Sequence, residues 1–271
     1  MSYKVSVIMP ALNEEDNITK AVENVAKSFD QLDVPGEIVV VNDGSTDRTR
    51  EITEELIEKY PFIQIICHDK PKGIGASYWD GVWKSKGEIV TFLPGDAEND
   101  AYEILRYLPL MDHVDIVIPF IYNQNARNWK RRMISKFYKG IINFSFGMLL
   151  NYMNGSVMYR KSVLQNIELK SSGFFYQTEL LIKSIKSGYL YAEVPCALQQ
   201  RLGGESKALT FKSLQKVIRG YLSTMASIYA LDRKKKPIMP DSVTALRHRQ
   251  LNEIGDTVQQ QFNTSRFEEI A

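Results

Sequence analysis

Short apolar runs alternate with amphipathic stretches along the first 120 residues, and this alternation constrains the fold more than any other feature. Val5-Ser6-Val7-Ile8-Met9-Pro10, Glu37 to Val41, Phe62 to Ile66, Glu88 to Leu93 and Val114 to Ile118 read as buried strands. Between the first two, Ile18, Val22, Val25, Ala26 and Phe29 recur at helical spacing behind the capping cluster Asn13 to Asn17. Pro35-Gly36 makes the turn into the second strand, and a second helix carries Ile52, Leu56 and Tyr60 until Pro61 stops it. A third bears Trp79, Val82 and Trp83. Strands separated by helices of this length predict right-handed βαβ units, and so an α/β chain with a mainly parallel central sheet flanked by helices.

Composition narrows the class. With 44% hydrophobic and 24% charged residues in 271, the chain has ample material for a globular core. A net charge of +2 provides no broad basic surface, so no nucleic-acid partner is expected. Cys67 and Cys196 are the only cysteines, which excludes a disulfide framework and fits a reducing cytosol. No signal peptide is read at the N-terminus. The most apolar later run, 137–150, contains Lys139 and is shorter than the roughly 20 residues a bilayer span needs. A cytoplasmic chain without its own anchor is the expectation.

After residue 120 basic and aromatic residues interleave: Arg127, Lys130, Arg131, Arg132, Lys136 and Lys139 with Trp129, Met133, Phe137, Tyr138 and Phe144. This stretch suits either a membrane interface, with cations at headgroups, or core packing and a dimer contact. A strand at Gly155 to Tyr159, a helix at Gln177 to Lys186 and a strand at Tyr189 to Val194 follow. After the Gly-rich basic loop Arg201 to Lys207, an amphipathic helix near Phe211 to Leu231 closes a domain of residues 1–231. Residues 232–271 read as a polar tail: a dimer arm, a contact to an integral-membrane partner, or a disordered end.

Chemistry points to the strand ends, because open α/β sheets bind ligands beyond the carboxyl ends of their strands. Phe92-Leu93-Pro94-Gly95-Asp96-Ala97-Glu98-Asn99 puts two carboxylates two residues apart just past the fourth strand. That pattern suits a hard divalent ion such as Mg²⁺ or Mn²⁺ sharing its shell with phosphates; the plainer reading is an acidic turn. Asp43 ends the second strand, where it either accepts from a base or ribose or simply forms a turn and cap. Asn13 and Glu14 border the same crevice with the same ambiguity, and Lys72-Gly73 is either a nucleotide-facing or a solvated turn. His68, His113 and His248 show no spacing for a metal site or a triad and receive no role.

Taken in order, Pro10-Ala11-Leu12-Asn13-Glu14-Glu15, Val41-Asn42-Asp43-Gly44-Ser45-Thr46-Asp47, Lys72-Gly73-Ile74-Gly75 and Pro94-Gly95-Asp96 resemble a family-2 inverting glycosyltransferase of the GT-A fold. Ser172 to Leu181, Glu193-Val194-Pro195 and Arg201-Leu202-Gly203-Gly204-Glu205-Ser206-Lys207 are similar to its polyprenyl-phosphate, dolichol-phosphate mannosyltransferase-like branch. The resemblance spans about residues 3–230. It implies that Pro10, Asn13, Glu14, Asp43, Lys72 and Gly73 hold a GDP- or UDP-linked sugar, with Asp96 and Glu98 on the metal. It also implies that Arg131 or Arg132, Arg201, Ser206 and Lys207 clamp donor and acceptor phosphates, a task suited to the planar guanidinium fork. The chain departs from that branch at Pro94 and Glu98, which stand where Asp and Gln are usual, at Pro119-Phe120-Ile121 for Gly-Ser-Arg, and at Asn151 for Asp.

The leading expectation is therefore hexosyl transfer from a nucleotide-diphosphate sugar to a polyprenyl phosphate, by an enzyme peripheral to the cytosolic face of a membrane. A lipid phosphate is already anionic and needs no general base. A glycan or glycolipid hydroxyl, the second acceptor class, needs one, and Glu179 is the candidate. A third reading is a non-catalytic nucleotide-sugar-binding subunit.

Overall fold

In the computed structural model, which describes residues 3–123, 129–197, 211–229 and 237–254 and only the backbone of 129–131 and 211–213, the strands form one seven-stranded sheet. Strands β1 (Val5–Ala11), β2 (Gly36–Asn42), β3 (Ile63–Cys67) and β4 (Ile89–Phe92) run parallel in the order β3-β2-β1-β4. The sheet continues through β6 (Met158–Arg160), β5 (Ile116–Ile121) and β7 (Tyr191–Cys196). β6 is antiparallel to both its neighbours, whereas β5 and β7 are parallel.

Two of the boundaries that differ from the sequence expectation have clear physical reasons. The strand expected from Gly155 begins only at Met158, because Asn154, Gly155 and Ser156 line a cleft and leave the ladder. β5 runs on through Pro119, which lies beyond the last residue paired with β6, so its missing N–H breaks no bond on that side.

Side chains alternate between two cores, as the two-residue period of a strand requires. Val5, Val7, Met9, Ile38, Val40 and Ile89 face one way. Helices α1 (Ile18–Leu32), α2 (Thr49–Lys59) and α4 (Ala101–Leu105) meet them with Val22, Val25, Phe29, Leu56, Ile104 and Leu105. Ile8, Val39, Val41, Val90 and Phe92 face the other way. There they meet Tyr78 and Val82 of α3 (Ile74–Lys84), Ile142 and Phe146 of α5 (Trp129–Phe146), and Leu180 and Leu181 of α7 (Tyr176–Lys186). A Cβ on Gly81 would lie 2.4 Å from Ile8 Cγ2, so only glycine lets α3 sit this close to β1. The short helix α6 (Lys161–Gln165) adds Val163 and Leu164, and α8 (Phe211–Tyr229) packs Val217, Tyr221 and Met225 on the same core.

Two buried carboxylates tie distant segments. Glu37 accepts from Ser6 Oγ and Gln64 Nε2 at 2.6 Å each and from the Lys86 amide, at the end of the sheet away from the acidic turn. Asp115, fully buried, accepts from Arg160 Nε at 3.2 Å and from the amides of Val243 and Thr244 at 2.8 and 3.0 Å. Those amides open a helix over 243–254, here α9, whose first N–H groups have no partner within the helix. Ile238 and Met239 pack on the core beside it. Part of the segment read as a polar tail is thus bolted to the sheet.

Candidate active site

The loops after β1 and β2 are knitted together before any ligand is considered. Asn13 adopts a left-handed conformation (φ 57°), tolerated better by Asn than by most residues. Its amide donates to Ser45 Oγ at 3.0 Å, and its Oδ1 accepts the Thr46 amide at 2.9 Å. The Glu14 amide donates to Thr49 Oγ1 at 2.8 Å, the Glu15 amide to Asp47 at 3.1 Å, and the Arg48 amide to Glu15 at 3.1 Å. The Pro10 carbonyl accepts the Gly95 amide at 3.0 Å, which brings the acidic turn alongside.

Asp43, 4% exposed, organises the next loop. Its Oδ1 accepts the Lys72 amide at 2.8 Å and its Oδ2 the Gly73 amide at 2.9 Å. Burial alone would raise its carboxyl. Hydrogen bonds from His68, Lys72, Gly73 and Ser77 outweigh it and hold the group below the ordinary carboxyl range. Gly73 has φ 101°, open to glycine and not to an L side chain, and starts α3. From the other side, Gly75 N donates to Ser172 O at 2.9 Å, and a Cβ on either glycine would crowd that carbonyl at 2.9 Å. This loop is therefore clasped on both flanks.

Beyond the sheet's carboxyl edge lies a cleft of about 720 Å³. Asp96, Glu98, Asn99, Asp100 and Glu103 form one wall; Ile121, Ile134, Tyr138, Phe174, Leu214 and Val217 form another. Asp96 Oδ1 accepts the Glu98 amide at 3.1 Å, so both carboxylates belong to one tight turn, with Ala97 at φ 55°. Their hard oxygens suit Mg²⁺ or Mn²⁺. Two protein ligands leave coordination positions for phosphate oxygens and water. Among the described residues no group of three or more His, Cys, Asp or Glu side chains converges as a metal site.

The structure splits the expected residues. Asp96 and Glu98 line the cleft. Pro10, Asn13, Glu14, Asp43, Lys72 and Gly73 stand on the adjoining strand ends instead, meeting the cleft where Ile74 and Pro94 enter its wall. Arg132 is half-buried on α5. The Arg131 side chain, Arg201, Ser206 and Lys207 lie outside the described residues. Glu179 is not brought to the cleft. It is 1% exposed, with Oε1 accepting from Lys170 N at 3.0 Å and Lys183 Nζ at 2.5 Å, and Oε2 from Ser171 N at 2.8 Å. Its oxygens are engaged in holding Lys170 and Ser171, an arrangement that suits an anchor rather than the base expected from the sequence.

Other residues enter unforeseen. Tyr138 Oη lies 2.7 Å from Thr178 Oγ1, which donates to Asn154 Oδ1 at 3.1 Å, forming a polar chain along the cleft wall. Burial pushes the Tyr138 phenol up to about 12, against the lowering effect of the Thr178 bond. Asn151 donates from its amide and side chain to Glu193 at 2.7 and 3.0 Å. No local periodicity announces any of these contacts, which join residues 24 to 42 positions apart.

A mostly parallel sheet with an acidic turn at its carboxyl edge and a two-natured cleft beyond is the layout of a GT-A glycosyltransferase. Residues 6–168 match the family described as glycosyl transferase family 2, and the chain belongs to that family. It is 31% identical over 212 residues to a dolichol-phosphate mannosyltransferase of Pyrococcus furiosus, a match covering 75% of this chain but only 59% of that protein. It is 29% identical over 219 residues to a polyprenol monophosphomannose synthase of Mycolicibacterium smegmatis, covering 76% and 81%. Among solved structures, glucosyl-3-phosphoglycerate synthase from Mycobacterium tuberculosis in complex with UDP superposes with a TM-score of 0.62 at 19% identity, covering 86% of this chain and 82% of that one. The same synthase with Mg²⁺ and UDP gives 0.61. At that identity the structures speak for the fold alone.

Proposed function

We propose that the chain is a metal-dependent inverting glycosyltransferase that moves a hexosyl group from a nucleotide-diphosphate sugar to a polyprenyl phosphate at the cytosolic face of a membrane. The observation that carries this reading is the two-natured cleft, acidic at Asp96 and Glu98 and apolar at Ile134, Phe174 and Leu214. A lipid phosphate offers an apolar chain for that wall, and its anionic head needs a divalent ion between it and the two carboxylates. The names of the two curated relatives point to the same acceptor class.

On this reading Asp96 and Glu98 hold a divalent ion, which supplies charge neutralisation to the departing nucleotide diphosphate. The clasped loops at residues 11–15, 43–48 and 72–75 form the donor rim, already rigid before the nucleotide arrives. The acceptor phosphate oxygen bonds to the anomeric carbon as the carbon–oxygen bond to the diphosphate breaks, and no proton has to leave. The anchored state of Glu179 agrees with that economy. The family resemblance assigns Arg131 or Arg132, Arg201, Ser206 and Lys207 to the phosphates, a role that the guanidinium fork suits.

The apolar wall continues outside. Met133, Ile134, Phe137, Ile141 and Phe144 of α5 and Leu214, Ile218 and Leu222 of α8 are exposed, as is Leu149, with Phe144 at 92% and Leu149 at 88%. Two packed helices presenting apolar stripes beside Lys136, Lys139, Lys216 and Arg219 suit a membrane interface. No helix among the described residues is long and apolar enough to cross a bilayer. Transfer of radiolabel from GDP- and UDP-hexoses to a short polyprenyl phosphate, with Mn²⁺ or Mg²⁺, tests the proposal. A metal-dependent, lipid-soluble product is expected; nucleotide binding without lipid product would overturn the acceptor assignment.

A further inference from the structure

His68 follows β3 directly, and its amide donates to the Asn42 carbonyl at 2.9 Å, extending the β2–β3 pairing by one residue. The imidazole therefore stands beside Asp43. Its Nδ1 lies 2.7 Å from Asp43 Oδ1, and its Nε2 lies 2.9 Å from Asp80 Oδ2 on α3, with the side chain 3% exposed. A carboxylate only accepts hydrogen bonds, so both ring nitrogens stand where an N–H would donate, which the ring does at both only when it carries two N–H groups. Asp43 faces the ring from β2 and Asp80 from α3. Lys72, from the intervening loop, reaches the same Asp80 oxygen at 3.3 Å.

Asp43 is the group that holds the Lys72-Gly73 amides, so whatever fixes Asp43 fixes the donor rim. We propose that His68 is a positioning residue for donor binding: a doubly protonated ring that sets the Asp43 carboxylate against the 72–73 loop and ties both to α3. This rests on the proposed reading that the loop borders the nucleotide.

Two substitutions separate the ring's two bonds. His68→Asn keeps an amide nitrogen near the place of Nδ1, within reach of Asp43. His68→Gln moves it toward the place of Nε2 and Asp80. Calorimetric titration with GDP and with UDP, each with Mn²⁺, is expected to show His68→Gln weakened about tenfold or more, the scale of one charge-assisted hydrogen bond. His68→Asn is expected to stay within about threefold of wild type, a split that general loss of packing would not produce. Nitrogen-15 NMR of the wild-type ring at neutral pH is expected to show both nitrogens protonated. Asp80→Ala, at a position 41% exposed, removes the acceptor at Nε2 and converts the ring to its one-proton form, should the His68 variants fail to fold. Wild-type affinity in both His68 variants, or one bare ring nitrogen in the wild type, overturns the inference and leaves the proposed function standing. A wild-type protein that binds neither nucleotide overturns the functional reading, and the positioning role with it.

Discussion

The proposed donor rim and the proposed acceptor cleft are built in opposite ways. On the rim, nearly every polar group has a protein partner: Asn13 with Ser45 and Thr46, Glu15 with Arg48, Asp43 with four donors. On the cleft side, long helices carry apolar residues that face outward, and the cavity between them has room for a large ligand. A rim locked by hydrogen bonds suits a rigid, polar molecule; an apolar cleft opening onto exposed helices suits a long, flexible one. On the proposed function, the two substrates would be told apart by different kinds of physics, directional bonding on one side and burial on the other.

The sharpest way to break this division is at the turn where the two regions meet. Asp96→Ala is expected to lower transfer about 10²- to 10³-fold while nucleotide-free stability stays near wild type, measured by initial rate and by urea melts. An undiminished rate would remove Asp96 from the chemistry. Asp115→Ala tests a third region that neither substrate touches. It removes the Nε partner of Arg160, which keeps its bond to the Met111 carbonyl, and takes the carboxylate from the amides of Val243 and Thr244; a loss of about 3 kcal/mol in unfolding free energy is expected. An unchanged melt would mean that 237–254 contributes nothing to the fold.

Glu179→Gln refines the comparison further. With Glu179 as an anchor, about 1–3 kcal/mol of stability is lost and kcat of the folded fraction is retained. With it as a base, kcat collapses and the melt holds. The double variant Phe144→Asp with Leu222→Asp is expected to lower co-sedimentation with anionic vesicles several-fold, leaving transfer to a detergent-soluble short-chain acceptor intact. The smallest effect concerns acid. Because Asp43 titrates below its ordinary value of 3.8, its contribution to stability is complete above that value. It is lost only as pH falls through the lower folded-state value, so Asp43→Asn should flatten the acid limb of a stability–pH curve and leave neutral pH little changed in slope.

Legibility in the sequence follows the range of the interactions. β1, β2 and β4 are visible because each is a buried, mostly apolar run between turn-formers, and β3, only partly buried, keeps the apolar pattern of Ile63, Ile65 and Ile66. Asp96 and Glu98 are visible as a short motif at a strand end. β6 is legible in place but not in extent: the strand read at Gly155 to Tyr159 starts too early, because Gly155 leaves the ladder to line the cleft. The partnership of Asp115 with Thr244 joins residues 129 positions apart, and nothing near either residue announces it. Glu179 stays ambiguous in the sequence because a carboxylate early in a helix reads alike whether it faces a ligand or accepts backbone amides. His68 has a signal in retrospect: counting along β2 and β3 from their paired ends brings it level with Asp43.

The double clasp on residues 72–75 bears on how such an enzyme can be rebuilt. Asp43 grips the loop from the donor half, and Ser172, steadied through Glu179 and Lys183, grips it from the acceptor half. A chimera that joins this chain's first half to a relative's second half inherits only one of the two grips. Its success depends on whether the incoming segment presents a backbone carbonyl to Gly75 at the height that Ser172 now does. The practical seam for exchanging acceptor modules therefore lies after residue 172, downstream of the place where the βαβ pattern ends.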